Sequence, residues 1–555
     1  MSDLPIPGTV HQVDQADHIQ GVRRSPKNHD IILLPQPSDH PDDPLNWSKW
    51  RKLVSVLGYN IYTLGVVLMV SCYTPANLQI QEKTGIPVAN INTGVGIYFL
   101  FIGYSNLIWQ SLALNYGRRP VLLLSFLLVI VQALWQAWCK NTAQWYANRV
   151  LMGISAGPVE TLLELIVADL HFSHERGFYM SIYVWLLFNG PFLGCIPAGF
   201  VADSLGWQWI EYIVCIIGAG LFVWLFFTFE ETAFYRPDVI SAENIDSVTS
   251  KTAVYDAEAN VALPQKGEKG GALEATGADT IKAPTTTSVD ATLDIVSQPK
   301  PYWKRLGFLP THDSRRKSTV WRNCYLSIAL LRFPAVIYSG LLVALSLSWF
   351  NVVNGTLPSI LGAEPYNFSA NIVGVFYIAA VIGVGFGSYF SGQLSDRVAV
   401  YMARRNNGVF EPEHRLWVFL FALILHPLGC LLFGVGAAHN IHWVGLAFGL
   451  GIFCATLPMG SSVAYNYVID SYKEVAGEGL VSVVLIRNTI GFGFAYAIVP
   501  MIDALGLQGA FILLTFLGLF IWCLTFVMIM YGSRFRKYTA RAYWKLVEEQ
   551  GLRVH

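Results

Sequence analysis

Twelve stretches of about twenty apolar residues alternate with polar connections along this chain, six before a long polar gap and six after it. A helix rising about 1.5 Å per residue needs about twenty apolar residues to cross roughly 30 Å of hydrocarbon, so each stretch predicts a membrane-spanning helix. The first six fall at 53–74, 93–113, 120–139, 145–168, 179–202 and 210–229; the second six fall at 333–353, 371–391, 416–436, 442–465, 480–500 and 509–531. The pattern predicts an all-α membrane protein with a polar N-terminal segment (1–52), a first six-helix bundle (53–229), a central loop (230–332), a second six-helix bundle (333–531) and a C-terminal tail (532–555).

The central loop has two parts. Its middle, 250–296, is rich in Ala, Thr, Gly, Lys and Glu and has too little apolar surface to offset the entropy of ordering, so it is expected to be disordered. Its flank interleaves aromatic and basic residues, from Tyr302, Trp303, Lys304 and Arg305 to the stretch between Trp321 and Arg332. That composition suits an interfacial helix on the inner leaflet, with Arg332 snorkelling to the headgroups.

Composition agrees with a lipid-solvated chain: 54% hydrophobic residues, 13% charged residues and a mean hydropathy of +0.44. Zero formal net charge gives no sign of a nucleic-acid partner, but the placement of charge sets the orientation. Arg23, Arg24, Lys27, Lys49, Arg51, Lys52, Arg118, Arg119, Arg176, Arg397, Arg404, Arg405, Arg415, Arg534, Arg536 and Lys537 all fall on one side. Lys83 and Lys140 are the exceptions on the other. The positive-inside rule therefore predicts cytoplasmic N and C termini.

Residues 1–50 contain no apolar run of signal-peptide type, so the first span is expected to act as the insertion signal. All eight Cys lie in or beside apolar stretches without Cys-x-x-Cys or His at ligand spacing, which suits packing residues and suggests neither a disulfide framework nor a metal site. Two glycosylation triplets, beginning at Asn354 and Asn367, fall in the connection expected outside between spans seven and eight.

Charges inside a lipid-embedded helix are costly and point to function. The fourth span holds Arg149, Glu160 and Glu164. Offsets of eleven and fifteen residues leave net rotations of roughly 20° and 60°, so a straight helix would aim all three the same way. Glu160 is expected roughly 13 Å from the inner end, close to the midplane. Desolvation disfavours an ionised carboxyl, which suits a group that loads and releases a proton as a site opens to each side in turn. The functional reading makes Glu160 the proton carrier and Arg149 the charge that tunes it or competes for it, with Glu164 as a gate residue. The alternative is a structural ion pair between two spans.

Arg487 and Asn488 stand in the eleventh span, where Arg487 is placed either to snorkel or to line the pathway. Tyr98, Asn106, Asn189, Tyr338, Asn351 and Tyr377 suit the walls of a cavity for an amphiphilic solute. The fifth span contains Gly190, Pro191, Gly194 and Pro197, which predict a bend and close approach of a neighbouring helix, or packing alone. In the inner loops, Gly117, Arg118 and Arg119 follow span two, and Gly392, Asp396 and Arg397 follow span eight. Their charges are placed to latch helix ends in one conformation.

With these residues the chain resembles the major facilitator superfamily, and within it the fungal twelve-span drug:proton antiporters. The family's loop signature G-x-L-x-D-R-x-G-R-R is divided between the halves. The second half keeps Gly392, Leu394, Asp396 and Arg397; the first keeps Gly117, Arg118 and Arg119 but has Gln110 and Leu114 where Gly and Asp are usual. Arg149 and Gly153 match the fourth-span R-x-x-x-G signature, and Gly190, Pro191 and Gly194 the core of the fifth-span antiporter signature, with Leu186 and Cys195 replacing its outer glycines. Asp43 to Trp47 and Glu411 to Leu416 are also similar to members of the group. The resemblance implies two pseudo-symmetric six-helix bundles rocking about a central cavity.

The expected function is proton-coupled transport of a small organic molecule at the plasma membrane, by export of a drug, metabolite or toxin. The chain is expected to act as a monomer in the bilayer, with a proton gradient as energy source and no cofactor. Two alternatives remain open: a proton symporter importing an organic cation or nutrient, and a non-transporting sensor on the same fold. No nucleophile with a base, nucleotide loop or metal constellation points to an enzyme.

Overall fold

The computed structural model describes residues 6–11, 40–234, 302–306, 320–362, 364–368 and 370–549, with isolated positions between 33 and 38. The expected disorder at 250–296 and part of the flank, 307–319, fall outside the described residues.

Among the described residues, twelve helices are long and apolar enough to cross a membrane. They are Lys49–Ala76, Asn90–Tyr116, Arg118–Gln136, Thr142–Leu170, Ser173–Leu205, Trp207–Thr228, Pro334–Gly362, Ile372–Arg405, Pro412–Ala438, Trp443–Ser471, Lys473–Ile498 and Pro500–Glu548, hereafter spans one to twelve. Twelve crossings return the chain to the side it began on, called the terminal side below; the opposite side is the far side.

Local chemistry sets the ends and breaks of these helices. Ser48 caps span one by accepting from Arg51 N at 3.4 Å, and Asn141 caps span four by accepting from Gln144 N at 2.8 Å. Gly117, at φ +109°, turns span two directly into span three, and Gly506, at φ +68°, ψ 168°, breaks the helix near the start of span twelve. Span four is two helices, Thr142–Ala156 and Pro158–Leu170, meeting at Gly157, where the missing Pro158 N–H interrupts the ladder. Span eight carries a π turn at Phe390–Leu394 before its last helix, Ser395–Arg405.

The packing repeats between the two halves. Span two packs on span four as span eight does on span ten, and span one on span five as span seven does on span eleven. Between halves, span two meets span eleven and span five meets span eight. Each inter-half pair maps onto the other when the halves are exchanged, which is the signature of two pseudo-symmetric six-helix bundles. Span two lies very close to span four: a Cβ at Gly153 would stand 2.7 Å from Tyr98 O, so glycine is required there.

Candidate functional site

A cavity of about 630 Å³ lies between the bundles. Tyr73, Tyr98, Phe188 and Pro191 line it from the first half, and Phe350, Asn351, Tyr377 and Arg487 from the second. Its lining from spans one, five, seven, eight and eleven comes from the far-side part of each helix, for instance Val67 to Asn77 and Leu187 to Gly199. The cavity is thus placed towards the far side. Of the expected wall residues, Tyr98, Asn351 and Tyr377 line it. Asn106 instead accepts from Thr161 Oγ1 at 2.7 Å, Tyr338 donates to Thr525 at 2.7 Å, and Asn189 is buried away from the lining.

At the terminal-side end of this cavity, Arg487 Nη2 lies 2.6 Å from Glu160 Oε1. Asn488 Nδ2 donates to the other oxygen, Oε2, at 2.7 Å, and Arg487 Nη1 donates to Tyr465 OH at 3.2 Å. Span four contributes the acid; span eleven contributes the guanidinium and the amide. Glu160 is 2% exposed and Arg487 4%, so this is a desolvated pair whose oxygens are nevertheless bonded. Arg487 lines the pathway rather than snorkelling.

The expected stripe along span four is met for two of its three charges. Arg149 and Glu160 both line the cavity, but they are not paired. Gly157 keeps helical angles (φ −43°, ψ −51°) across the break at Pro158, so Arg149 and Glu160 share a face, but their offset of eleven residues sets them about 16 Å apart along the axis. Arg149 donates to Gln136 Oε1, and its guanidinium lies 4.8 Å from the Tyr73 ring centroid and 4.9 Å from that of Trp145. The charge on Glu160 is met by Arg487. Glu164 is fully buried one turn deeper, outside the lining, and neither of its oxygens has a hydrogen-bond partner.

A second cluster closes the terminal side. Arg415 is 2.7 Å from Asp470 Oδ2 and 2.5 Å from Asp396 Oδ1, and donates across the halves to Ser173 O at 2.8 Å. Arg176 reaches Asp470 Oδ1 at 3.3 Å, while Phe178 N donates to Asp396 Oδ2 at 3.1 Å. Ser173, Arg176 and Phe178 belong to span five, the others to the second half. Asp396 and Gly392 take the expected latching positions, since a Cβ on Gly392 would collide with Ser181 of span five. Arg397 is exposed, and Arg415 takes the role expected of it.

The first-half loop works differently. Arg118 Nε is 3.3 Å from Asp169, and the Glu231 carboxylate accepts from the backbone N–H groups of Arg118 and Arg119 at 2.9 and 3.1 Å. Arg119 donates through Nε to Phe229 O at 2.6 Å and through its other nitrogens to Phe226 O and Leu306 O. These bonds cap the end of span six inside the first half, so Gly117, Arg118 and Arg119 anchor that half instead of latching it to the other. Glu231 and Asp169 supply the acid missing at Leu114.

The terminal-side surface is reinforced by both ends of the chain. Val10–His11 pairs antiparallel with Val409–Phe410, and Arg536 bonds Glu413 Oε2 at 2.6 Å, Thr9 Oγ1 at 3.1 Å and Pro7 O. Between spans four and five, His171 stacks on Tyr179 at 3.5 Å. Burial, with Lys52 and Arg176 adding to it, pushes His171 down to about 3.

Two helical expectations resolve differently. Span five runs uninterrupted from Ser173 to Leu205 through Pro191 and Pro197, while Gly190 and Gly194 bring it against Val67, Leu68 and Cys72 of span one. Asn354 lies inside span seven, donating to Phe350 O at 3.0 Å and lining the cavity, because that helix continues to Gly362. Asn367 is in the connection, at φ +48°. The helix Val320–Ala329 leaves Trp321, Tyr325 and Ile328 exposed and links the halves through Cys324 Sγ to Leu107 O at 3.1 Å and Ser327 O to Ser482 Oγ at 2.5 Å.

Sequence reasoning missed Asp470 and Glu211. Asp470 ends span ten as Asp169 ends span four, so superposing the two halves of the sequence would have found it. Glu211 is a carboxyl buried in span six, one turn from its start, at a depth where a charge is ordinarily able to reach the interface.

The sequence pattern of the Major Facilitator Superfamily matches residues 60–495. The chain is 32% identical to an uncharacterized MFS-type transporter of Schizosaccharomyces pombe, over 93% of this chain and 90% of that one. It is 26% identical to the MFS antiporter QDR3 of Candida albicans, over 86% of this chain and 76% of that one. Among solved structures, the proton:xylose symporter XylE has a similar fold, with a TM-score of 0.55 at 12% identity, covering 88% of this chain and 97% of that one.

Proposed function

The chain belongs to the major facilitator superfamily and is a multi-pass membrane transporter rather than an enzyme, and on that premise we propose that it exchanges protons for a small amphiphilic organic molecule by alternating access. The reading places it in the plasma membrane with both termini in the cytoplasm, acting as an exporter.

One observation carries this reading: the Glu160–Arg487 pair joins the two halves at the base of the solute-sized cavity. A proton arriving at Glu160 neutralises the carboxylate, weakens its hold on Arg487 and so lowers the cost of separating spans four and eleven. Separating them is what an inward rocking step requires. Solute and proton then compete for one conformational equilibrium, which couples their fluxes without a phosphorylated intermediate.

Tyr73, Tyr98, Phe350 and Tyr377 offer apolar faces, and Asn351 and Asn354 offer amides, so the cavity suits a solute with one greasy and one polar end. Export is supported by the antiporter name of the Candida relative. Direct capture of an organic cation is less well supported, because Glu160 is already bonded by Arg487 and Asn488.

Purified protein in sealed vesicles, given an imposed pH gradient and a mixed panel of polyamines, organic acids and hydrophobic drugs, tests the reading. At least one solute should move against the proton flow and dissipate the gradient. Solute movement indifferent to the gradient, or running with the protons, would overturn antiport.

A further inference from the structure

Glu211 has no part in the mechanism above, yet its side chain is only 1% exposed in the far-side end of the first bundle. Around it, Cys72, Tyr73, Cys139, Trp145, Trp207 and Ile210 form a closed apolar and aromatic cluster. Its Oε1 has no hydrogen-bond partner, and neither does Nε of Arg149. Arg149 is the cation that acts electrostatically on Glu211, with Cys72, Tyr73, Cys139 and Cys215 as the other titratable groups it influences. Depth agrees: Glu211 stands four residues into span six and Arg149 seven residues into span four, about 6 and 10 Å from the far-side helix starts.

The two members of this pair differ in one respect that matters. Arg149 lines the cavity, whereas Glu211 sits behind it, outside the lining. A buried carboxyl with an unbonded oxygen is expensive in a membrane bundle and is retained where its charge is used.

We propose that Glu211 is a second proton-binding carboxyl, and that its proton sets whether Arg149 presents a compensated or an uncompensated positive charge to a solute in the cavity. The proton comes from the far-side solution and bonds to a carboxylate oxygen of Glu211; the Arg149–Glu211 pair changes from net zero to net +1, and nothing is oxidised or reduced. The uncompensated charge repels a cationic group on the solute, so a proton taken up by Glu211 from the far side favours release of the solute there, and its loss lets the solute bind again, as exchange requires. This deepens the proton-coupled reading by adding a second protonation site, separated from Glu160 by Arg149.

Infrared difference titration of the full-length protein in lipid nanodiscs, with no solute and no gradient, tests the assignment separately from transport. Beside any component from Glu160, the band of protonated carboxyls should show a further titrating component in the wild type that is lost in Glu211→Gln and displaced in pH in Arg149→Gln. Glu211→Asp should retain the component at a shifted frequency, which keeps the assignment testable if the Gln variant does not fold. An unchanged titration in Glu211→Gln, or no titrating component altered in Glu211→Asp, would overturn the proposal. Because the measurement involves no flux, it succeeds or fails whether or not the vesicle experiment finds antiport.

Discussion

Arg487 of the second half holds Glu160 of the first at 2.6 Å, so one ion pair joins the two bundles at the base of the cavity. Removing the guanidinium alone leaves a buried carboxylate without its charge partner, which costs about 3–5 kcal/mol. Arg487→Ala should therefore lower the thermal unfolding midpoint of the purified protein sharply, while Arg487→Met combined with Glu160→Leu recovers most of the loss. Equal destabilisation by the single and double substitutions would show that the pair is not energetically coupled.

The terminal-side cluster predicts a conformational effect. Arg415 bonds both Asp470 and Asp396 and reaches Ser173 O in the other half, so Arg415→Ala removes the centre of the closure. A cysteine placed at the buried Ser181 should become at least tenfold more reactive towards a water-soluble maleimide, which corresponds to about 1.4 kcal/mol lost from the closed state. Arg119→Ala should leave that reactivity unchanged, because its bonds to Phe229 O, Phe226 O and Leu306 O do not cross to the second bundle. Equal labelling in all three backgrounds would contradict a cross-half latch at Arg415.

His171 predicts a pH dependence of stability. Burial first, then Lys52 and Arg176, push it from its ordinary 6.5 down to about 3. The folded chain thus excludes a proton that the unfolded chain binds between those values. Stability is unaffected above about pH 6.5 and declines as the pH falls below it, reaching a loss of about 2 kcal/mol at pH 5. Unfolding midpoints measured from pH 7.5 to 5 should fall more steeply for the wild type than for His171→Gln. Parallel curves would remove His171 from the account.

The twelve spans were legible because lipid demands long apolar runs, and short Gly turns such as Gly117 mark their ends. Glu160 was legible for the same reason in reverse: a carboxyl in the middle of such a run stands out. Its partner was not. Arg149 shares a span and a face with Glu160 but stands about 16 Å away along the axis, and Arg487 arrives from the other bundle through packing that no local pattern encodes. Glu231 escaped notice similarly, since it restores the acid lost at Leu114 from a position more than a hundred residues away.

The most direct measurement of the central claim is proton movement coupled to solute movement in sealed vesicles, compared between wild type and Glu160→Gln. The substitution keeps side-chain size and retains an oxygen able to accept from Asn488. Wild-type vesicles should release their pH gradient when a transported solute is added, whereas Glu160→Gln vesicles should exchange solute at equilibrium without moving protons. Full gradient-driven transport by Glu160→Gln would contradict the role of that carboxylate in coupling.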